Sequence, residues 1–211
     1  MKHYQTKKLS ILALFIALEI AMSVFPFLGF IPLGFINATT LHIPVILGSI
    51  LLGKKEGAVL GFLFGLLSLI RATTQPNLTS FIFSPFISVG GMHGNFASLL
   101  IVFIPRILMG YIAGFLFENL SKKEVKEYFS LIISAFIGSM CNTLLVVGGI
   151  IIFFSNAYAS ALGIEIQALF GSIVLLIVTS GISEAFVACF FILLLYKTIH
   201  KAFPKLSKVS S

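Results

Sequence analysis

The sequence is dominated by apolar segments that are long enough to cross a lipid bilayer. Six such segments can be delimited, at residues 11–25, 36–53, 57–70, 96–120, 128–154 and 166–196. A helix that crosses the hydrocarbon needs about 20 mostly apolar residues, and a helix satisfies its own backbone hydrogen bonds there. The pattern therefore predicts an all-α integral membrane protein, built as a bundle of six transmembrane helices.

The overall composition supports this fold class and argues against a nucleic-acid partner. Hydrophobic residues make up 58% of the 211 residues and charged residues 10%, too few polar groups to cover the surface of a water-soluble domain. The formal net charge is +7, but the basic residues separate apolar segments and do not form a basic patch. We expect one transmembrane domain over residues 1–211, with short tails at about 1–8 and 197–211.

The lysines predict the orientation of the bundle. The connections near residues 28–35, 72–95 and 155–165 contain none. The lysines occur before the first segment and in the alternate connections: Lys2, Lys7, Lys8, Lys54, Lys55, Lys122, Lys123, Lys126, Lys197, Lys201, Lys205 and Lys208. Short loops rich in lysine and arginine face the cytoplasm. Both termini are therefore predicted to be cytoplasmic, and the long connection at about 72–95 to face outward.

This outer connection is a candidate lid over a small-molecule site. It contains prolines, glycines, amides and the aromatic residues Phe81, Phe83 and Phe86, and it lies between Arg71 and Arg106, the two arginines of the chain. Loops of this length in compact proteins are usually functional or disordered. Its hydrophobic content predicts that it folds back over the bundle.

Polar residues within and beside the apolar segments are the candidate ligand contacts. Arginine presents a planar set of donors suited to a carboxylate or phosphate, and a charge at a helix centre costs about 2.5–3.5 kcal/mol and so tends to face the interior. The predicted substrate-binding residues are Arg106, Arg71, Asn37, His42, Gln75, Asn77, His93, Asn95, Asn142 and Glu184. A purely structural alternative pairs Arg106 with Glu184 or Glu19 and lets Asn142 join two helices.

Small residues recur at four-residue spacing in two segments and mark close helix contacts. They are Ala13, Ala17 and Ala21 in the first segment and Gly57, Gly61 and Gly65 in the third. The glycines are expected to pack the third helix tightly against a neighbour. The alanines could pack inside the bundle or against a partner protein. Because Glu19 lies about 200° around the helix from Ala17, it faces the bundle interior if the alanines face a partner.

No catalytic or metal-binding pattern is evident. The chain has no aspartate, no His-Glu-x-x-His and no Gly-x-Ser-x-Gly, so we do not expect an enzyme. Cys141 and Cys189 lie within apolar segments, where cysteine usually serves as a small packing residue. We expect no metal site and no cofactor. A self-sufficient secondary transporter would show inverted halves with broken helices, and no clear internal repeat is present.

Several motifs together resemble a known family. The run at 40–48, the Gly-Ala-Val-Leu-Gly at 57–61, the Pro-Arg-Ile-Leu-Met-Gly at 105–110 and the alanine stripe are similar to the substrate-binding S component of an energy-coupling factor (ECF) vitamin transporter. The resemblance spans nearly the whole chain. Within that family, the motifs at 83–86 and 91–95 are most similar to those of the pantothenate-specific members.

The resemblance implies a mechanism that the residues alone do not supply. Such subunits lie in the bacterial plasma membrane, bind one vitamin from outside, and rotate against a transmembrane T (scaffold) component driven by two cytoplasmic ATPase subunits. The alanine stripe faces the scaffold in that family. Pantothenate, a small carboxylate, is the implied ligand; the alternatives are another vitamin or precursor of the pyridoxine or hydroxymethylpyrimidine type, or a self-sufficient secondary transporter.

Overall fold

The computed structural model describes residues 2–25, 30–33 and 36–202, with side chains described for 5–25 and 40–199. Its α-helices are α1 Lys2–Val24, α2 His42–Leu52, α3 Lys54–Thr74, α4 Phe96–Lys122, α5 Glu127–Leu162, α6 Ile166–Leu176 and α7 Ile182–Ala202. A π-helical turn, Ile177–Gly181, joins α6 to α7, so these three segments form one continuous rod. Residues 2–8 and 197–202, predicted as parts of tails, belong to α1 and α7; Met1 and the predicted tail beyond Ala202 lie outside the described residues.

Two short antiparallel hairpins precede helices. Strand β1, Phe30–Leu33, pairs with β2, Ile36–Thr39, before α2, and β3, Ser88–Val89, pairs with β4, Met92–His93, before α4. The prediction of a helix from residue 36 was therefore wrong, because α2 begins at His42. Pro44 accounts for this start: a proline is tolerated in the first helical turn, but further inside it removes a hydrogen bond and clashes with the carbonyl four residues earlier.

The described residues include four helical stretches that are long and apolar enough to cross a membrane. These are Lys54–Thr74, Phe96–Lys122, Glu127–Leu162 and Ile166–Ile199. Helix α2 has 11 residues and rises only about 16 Å, against a hydrocarbon core of about 30 Å. The structure thus gives an all-helical membrane protein, whereas six crossings and cytoplasmic termini stay predictions.

The closest helix contact joins α3 to α4, as the glycine spacing predicted. A Cβ atom at Gly61 would overlap the backbone carbonyl of Arg106, and Gly57 lies in the same way against the carbonyl of Gly110. The Ser49 hydroxyl of α2 donates a hydrogen bond to that Gly110 carbonyl as well. The backbone of Arg106 is therefore fixed by direct contact with α3.

Polar side chains join helix ends that carry lysines. The contacts are Lys8 Nζ to Glu56 Oε1 at 2.7 Å, Lys54 Nζ to Glu118 Oε2 at 3.0 Å, and a 2.7 Å hydrogen bond that the Tyr196 hydroxyl donates to Glu127 Oε1. They connect the starts of α1 and α3, the start of α3 and the end of α4, and the start of α5 and the end of α7. We call this part of the bundle the lysine end.

Helix α1 separates small residues from its single acidic residue. Ala13, Ala17 and Ala21 are exposed on the surface of the subunit, whereas Glu19 is fully buried. The alanine stripe therefore does not pack inside the described bundle. Its exposure leaves it accessible to lipid or to a partner protein.

Candidate functional site

A cavity of about 490 Å³ lies between α3, α4, α5 and the α6–α7 rod, beneath the connection that follows α3. Its volume falls in the range of small-molecule sites. The apolar part of the wall includes Phe64, Phe83, Val147 and Ile150. Its polar and charged residues are Ser68, Arg71, Gln75, Asn77, Thr79, Ser80, Arg106, Asn142, Thr143, Tyr158, Ser180 and Glu184.

Arg106 is held in place by a backbone carbonyl that Pro105 leaves without its helical hydrogen bond. Pro105 has no N–H, so the carbonyl of Ile101, four residues earlier, lacks its helical donor. The Nη1 atom of Arg106 donates to that carbonyl at 2.7 Å. The guanidinium carbon also lies 5.2 Å from the ring centre of Phe83 and 5.6 Å from that of Phe64, within range of cation–π attraction. The side chain is therefore fixed before any ligand binds.

The same guanidinium keeps an unused donor. Arg106 is only 8% exposed, and its Nε atom has no hydrogen-bond partner among the residues that the structure describes. An aromatic face attracts the charge but does not replace a hydrogen-bond acceptor, and a buried polar group left unpaired costs about 1–3 kcal/mol. An anionic acceptor in the cavity would match this donor.

Two further cavity residues carry buried polar atoms without a partner in the described part of the chain. They are Asn142, through Oδ1, on α5 and Ser180, through Oγ, in the π-helical turn. An amide oxygen needs a donor, and a hydroxyl can donate or accept. With Arg106, the unsatisfied groups come from three parts of the bundle and suit a ligand that has both acceptor and donor groups.

The connection after α3 closes over the cavity through its own hydrogen bonds. Asn77 Oδ1 accepts from the Thr79 backbone N–H at 3.0 Å and from the Thr79 and Ser80 hydroxyls, each at 3.1 Å. The Ser98 hydroxyl of α4 donates to the Phe81 carbonyl at 2.8 Å, and the Phe81 ring is fully buried. The connection is thus folded and packed on the bundle, as its aromatic residues predicted, although Phe86 is 75% exposed.

The structure brings six of the ten predicted binding residues to this cavity: Arg71, Gln75, Asn77, Arg106, Asn142 and Glu184. Asn95 instead caps α4, where its Oδ1 accepts from the Ala97 N–H at 2.8 Å. His93 is exposed in β4, and His42 is buried at the start of α2. Asn37 lies in β2, and its side chain lies outside the described residues.

The structural alternative pairs Arg106 with Glu184 or with Glu19. Glu184 lines the same cavity, and its charge acts on the Arg106 guanidinium. Glu19 does not line this cavity, and both of its carboxylate oxygens are buried without a hydrogen-bond partner in the described part of the chain. Glu184 is therefore the acidic neighbour of Arg106 in this site.

Sequence reasoning missed several lining residues. Ser68 lies one helical turn before Arg71, and Ser180 one turn before Glu184, so helical spacing from a charged residue was an available signal. Tyr158 offered no such signal. It reaches the cavity in the part of α5 beyond Phe154, whose φ of −134° and ψ of 16° interrupt the helix.

The fold and the cavity define a helical membrane protein whose bundle contains a partly polar cavity of small-molecule size. The family described as "ECF transporter, substrate-specific component" matches residues 7–196. The chain belongs to this family of substrate-specific components of ECF transporters.

Two relatives are named as transporters of pantothenate. The chain is 37% identical over 190 residues to the pantothenic acid transporter PanT of Lactococcus lactis subsp. cremoris, a match covering 89% of this chain and 91% of the relative. It is also 34% identical over 123 residues to the pantothenate transporter PanT of Leuconostoc mesenteroides subsp. mesenteroides, covering 56% of this chain and 54% of the relative. The predicted resemblance to pantothenate-specific members of the family is thereby confirmed.

Proposed function

We propose that this chain captures pantothenate from outside the bacterial plasma membrane and delivers it through an ECF transport complex. The observation that carries the proposal is Arg106, a buried guanidinium that is held by Ile101, Phe64 and Phe83 and keeps an unsatisfied donor at the cavity. The two relatives whose names specify pantothenate support the same ligand.

The chemistry of pantothenate matches the groups that line the cavity. The molecule has one carboxylate, one amide and two hydroxyl groups. Arg106 supplies a donor for the carboxylate, and charge-assisted hydrogen bonds of this kind are the strong ones. Asn142 and Ser180 supply the acceptor and hydroxyl that the amide and hydroxyl groups of the ligand can satisfy. A neutral pyridoxine-like or pyrimidine ring would bring no carboxylate to the donor that Arg106 keeps.

Delivery requires a transmembrane T component and two ATPase subunits, as in the family to which the chain belongs. The exposed alanine stripe on α1 supports a scaffold contact, because methyl-sized side chains let two helix backbones approach closely. The lysine end supports a cytoplasmic position for both termini. With six crossings, the cavity then lies in the outer half of the membrane.

Replacing the anchoring arginine tests this function directly. In Arg106→Ala, pantothenate binding measured by titration calorimetry on purified protein should weaken by about 2–5 kcal/mol, the usual cost of removing one partner of a buried charge pair. Arg106→Lys should restore little, because lysine lacks the planar donor set. The thermal unfolding of each variant is the control for folding. Unchanged pantothenate affinity in folded Arg106→Ala protein would remove this residue from the site.

A further inference from the structure

Glu184 is the acidic residue in the lining of the described cavity. It lies in the first turn of α7, directly after the π-helical turn Ile177–Gly181, and Ser180 and Gly181 of that turn line the same cavity. Single π-helical turns of this kind occur frequently at functional sites. The placement puts a carboxylate into a space that also holds two arginines.

The charged residues that line the cavity determine which ligand charge they can neutralise. Arg71 and Arg106 are positive and Glu184 is negative, which gives the described lining a formal net charge of +1. Of these charges, that of Glu184 acts on the Arg106 guanidinium. Uncompensated charge beside a buried group such as Arg106 is costly. A monoanion brings the filled cavity to neutrality, whereas a dianion leaves a negative charge beside Glu184.

Size alone does not provide this selection. The cavity of about 490 Å³ lies within the range that holds drug-sized molecules, so a vitamin enlarged by one phosphoryl group is not excluded by volume. Arginines also bind phosphate strongly, so the basic residues alone would favour a phosphate ester. A repulsive group in the site is one way to discriminate against such a ligand, and Glu184 supplies a like charge.

We propose that Glu184 is a specificity-determining residue that restricts the cavity to monoanions by repelling ligands with a second negative charge. The inference rests on the proposed function and adds to it a chemical class that is rejected: phosphate monoesters and dicarboxylates of otherwise suitable shape. Glu184 acts through its charge, so a shorter side chain with the same charge preserves the selection.

The test compares two ligands on the same purified protein. Affinities for pantothenate and for its phosphate monoester are measured by titration calorimetry on the wild-type chain and on Glu184→Gln. The wild type should prefer pantothenate, and in Glu184→Gln the ratio of the two affinities should shift towards the ester by at least about tenfold, as expected for removing one like charge at close range.

Two further variants test whether the charge of Glu184, and its position in the cavity, cause the selection. Glu184→Asp keeps the charge and should keep the wild-type ratio. Glu165→Gln removes the same charge from an exposed position at the start of α6, outside the cavity lining, and should also leave the ratio unchanged. If Glu184→Gln does not fold, Glu184→Ala takes its place.

The outcomes distinguish this inference from the function on which it rests. A wild-type chain that binds the ester as tightly as pantothenate overturns the inference without any variant. Pantothenate binding with the same ligand ratio in wild type and in the folded neutral variant also overturns the role of Glu184, while the proposed function stands. A wild-type chain that binds neither ligand overturns the proposed function itself.

Discussion

Glu19 is a carboxylate whose surroundings do not match its chemistry. It is fully buried in α1, and neither oxygen has a hydrogen-bond partner among the described residues. Replacing buried polar groups by well-packed apolar ones of similar volume is often stabilising. Glu19→Met should therefore raise the melting temperature of the detergent-solubilised protein by about 2–4 °C per kcal/mol gained.

The control for this prediction is another glutamate that has a partner. Glu56→Met removes the 2.7 Å contact with Lys8 and should not raise the melting temperature. A lower melting temperature in Glu19→Met than in the wild type would show that the carboxylate contributes to stability.

At the level of single residues, the lining residues most readily predicted are charged side chains in apolar segments. Arg106 and Glu184 were identifiable because a charge within a membrane segment demands a structural or functional reason. Asn95 was assigned to ligand binding on its residue type, yet it caps α4, a position that asparagine favours for reasons of backbone geometry. Tyr158 was not predictable, since its place depends on the irregular backbone at Phe154.

Among the elements, α3 and α4 form the contact on which the position of Arg106 depends. Gly61→Ala introduces a methyl group against the Arg106 carbonyl and should lower both the melting temperature and the pantothenate affinity. Gly148→Ala makes the same change on α5, where a new Cβ meets nothing within 4 Å. Because alanine favours a helix over glycine by about 1 kcal/mol, Gly148→Ala should be neutral or stabilising. Equal effects of the two substitutions would contradict the role of the close contact.

The connection over the cavity should respond to ligand. Hydrogen exchange of backbone amides at 75–95 should slow when pantothenate binds, because the first part of this connection lines the cavity and its fold is held by Asn77 and by the Ser98 hydroxyl of α4. Exchange at 122–127, at the lysine end, serves as the internal control and should not change. Equal exchange at 75–95 with and without ligand would argue against a lid.

Helix bounds could be predicted where the local sequence has a clear hydropathy pattern. Helix α4 was predicted near its observed bounds, because its length and hydropathy leave few alternatives. The start of α5 was also predicted closely, but the helix continues beyond the predicted end at residue 154 to Leu162. The start of α2 was missed because the apolar run continues through a strand, β2, and only Pro44 marks the first helical turn. The π-helical turn before Glu184 could not be predicted, because its residue types also occur in the apolar helices on either side.

For the whole molecule, the proposed division between capture and delivery assigns each to a different surface. Ala17→Trp places a bulky group on the exposed face of α1, whereas the cavity is lined from α3 onward. Binding by the purified variant should stay near normal, while ATP-dependent uptake into vesicles containing the whole complex should collapse. Ile152→Trp, at a position 74% exposed on α5, is the control and should preserve both activities.

The two readouts make the partner surface falsifiable. Loss of binding and of uptake together in folded Ala17→Trp protein would contradict the separation of the partner surface from the binding site. Retention of both would show that no scaffold helix approaches closely at this position.

The side-chain contacts at the lysine end have a kinetic consequence. They join helix ends there, and the cavity lining in the described part of the chain includes none of the six residues that make them. Under the proposed function, pantothenate enters from the side away from these contacts, and its residence time in the cavity limits how fast it can be handed on. A higher affinity for pantothenate then slows its release in each transport cycle, unless ATP hydrolysis by the partner proteins lowers that affinity.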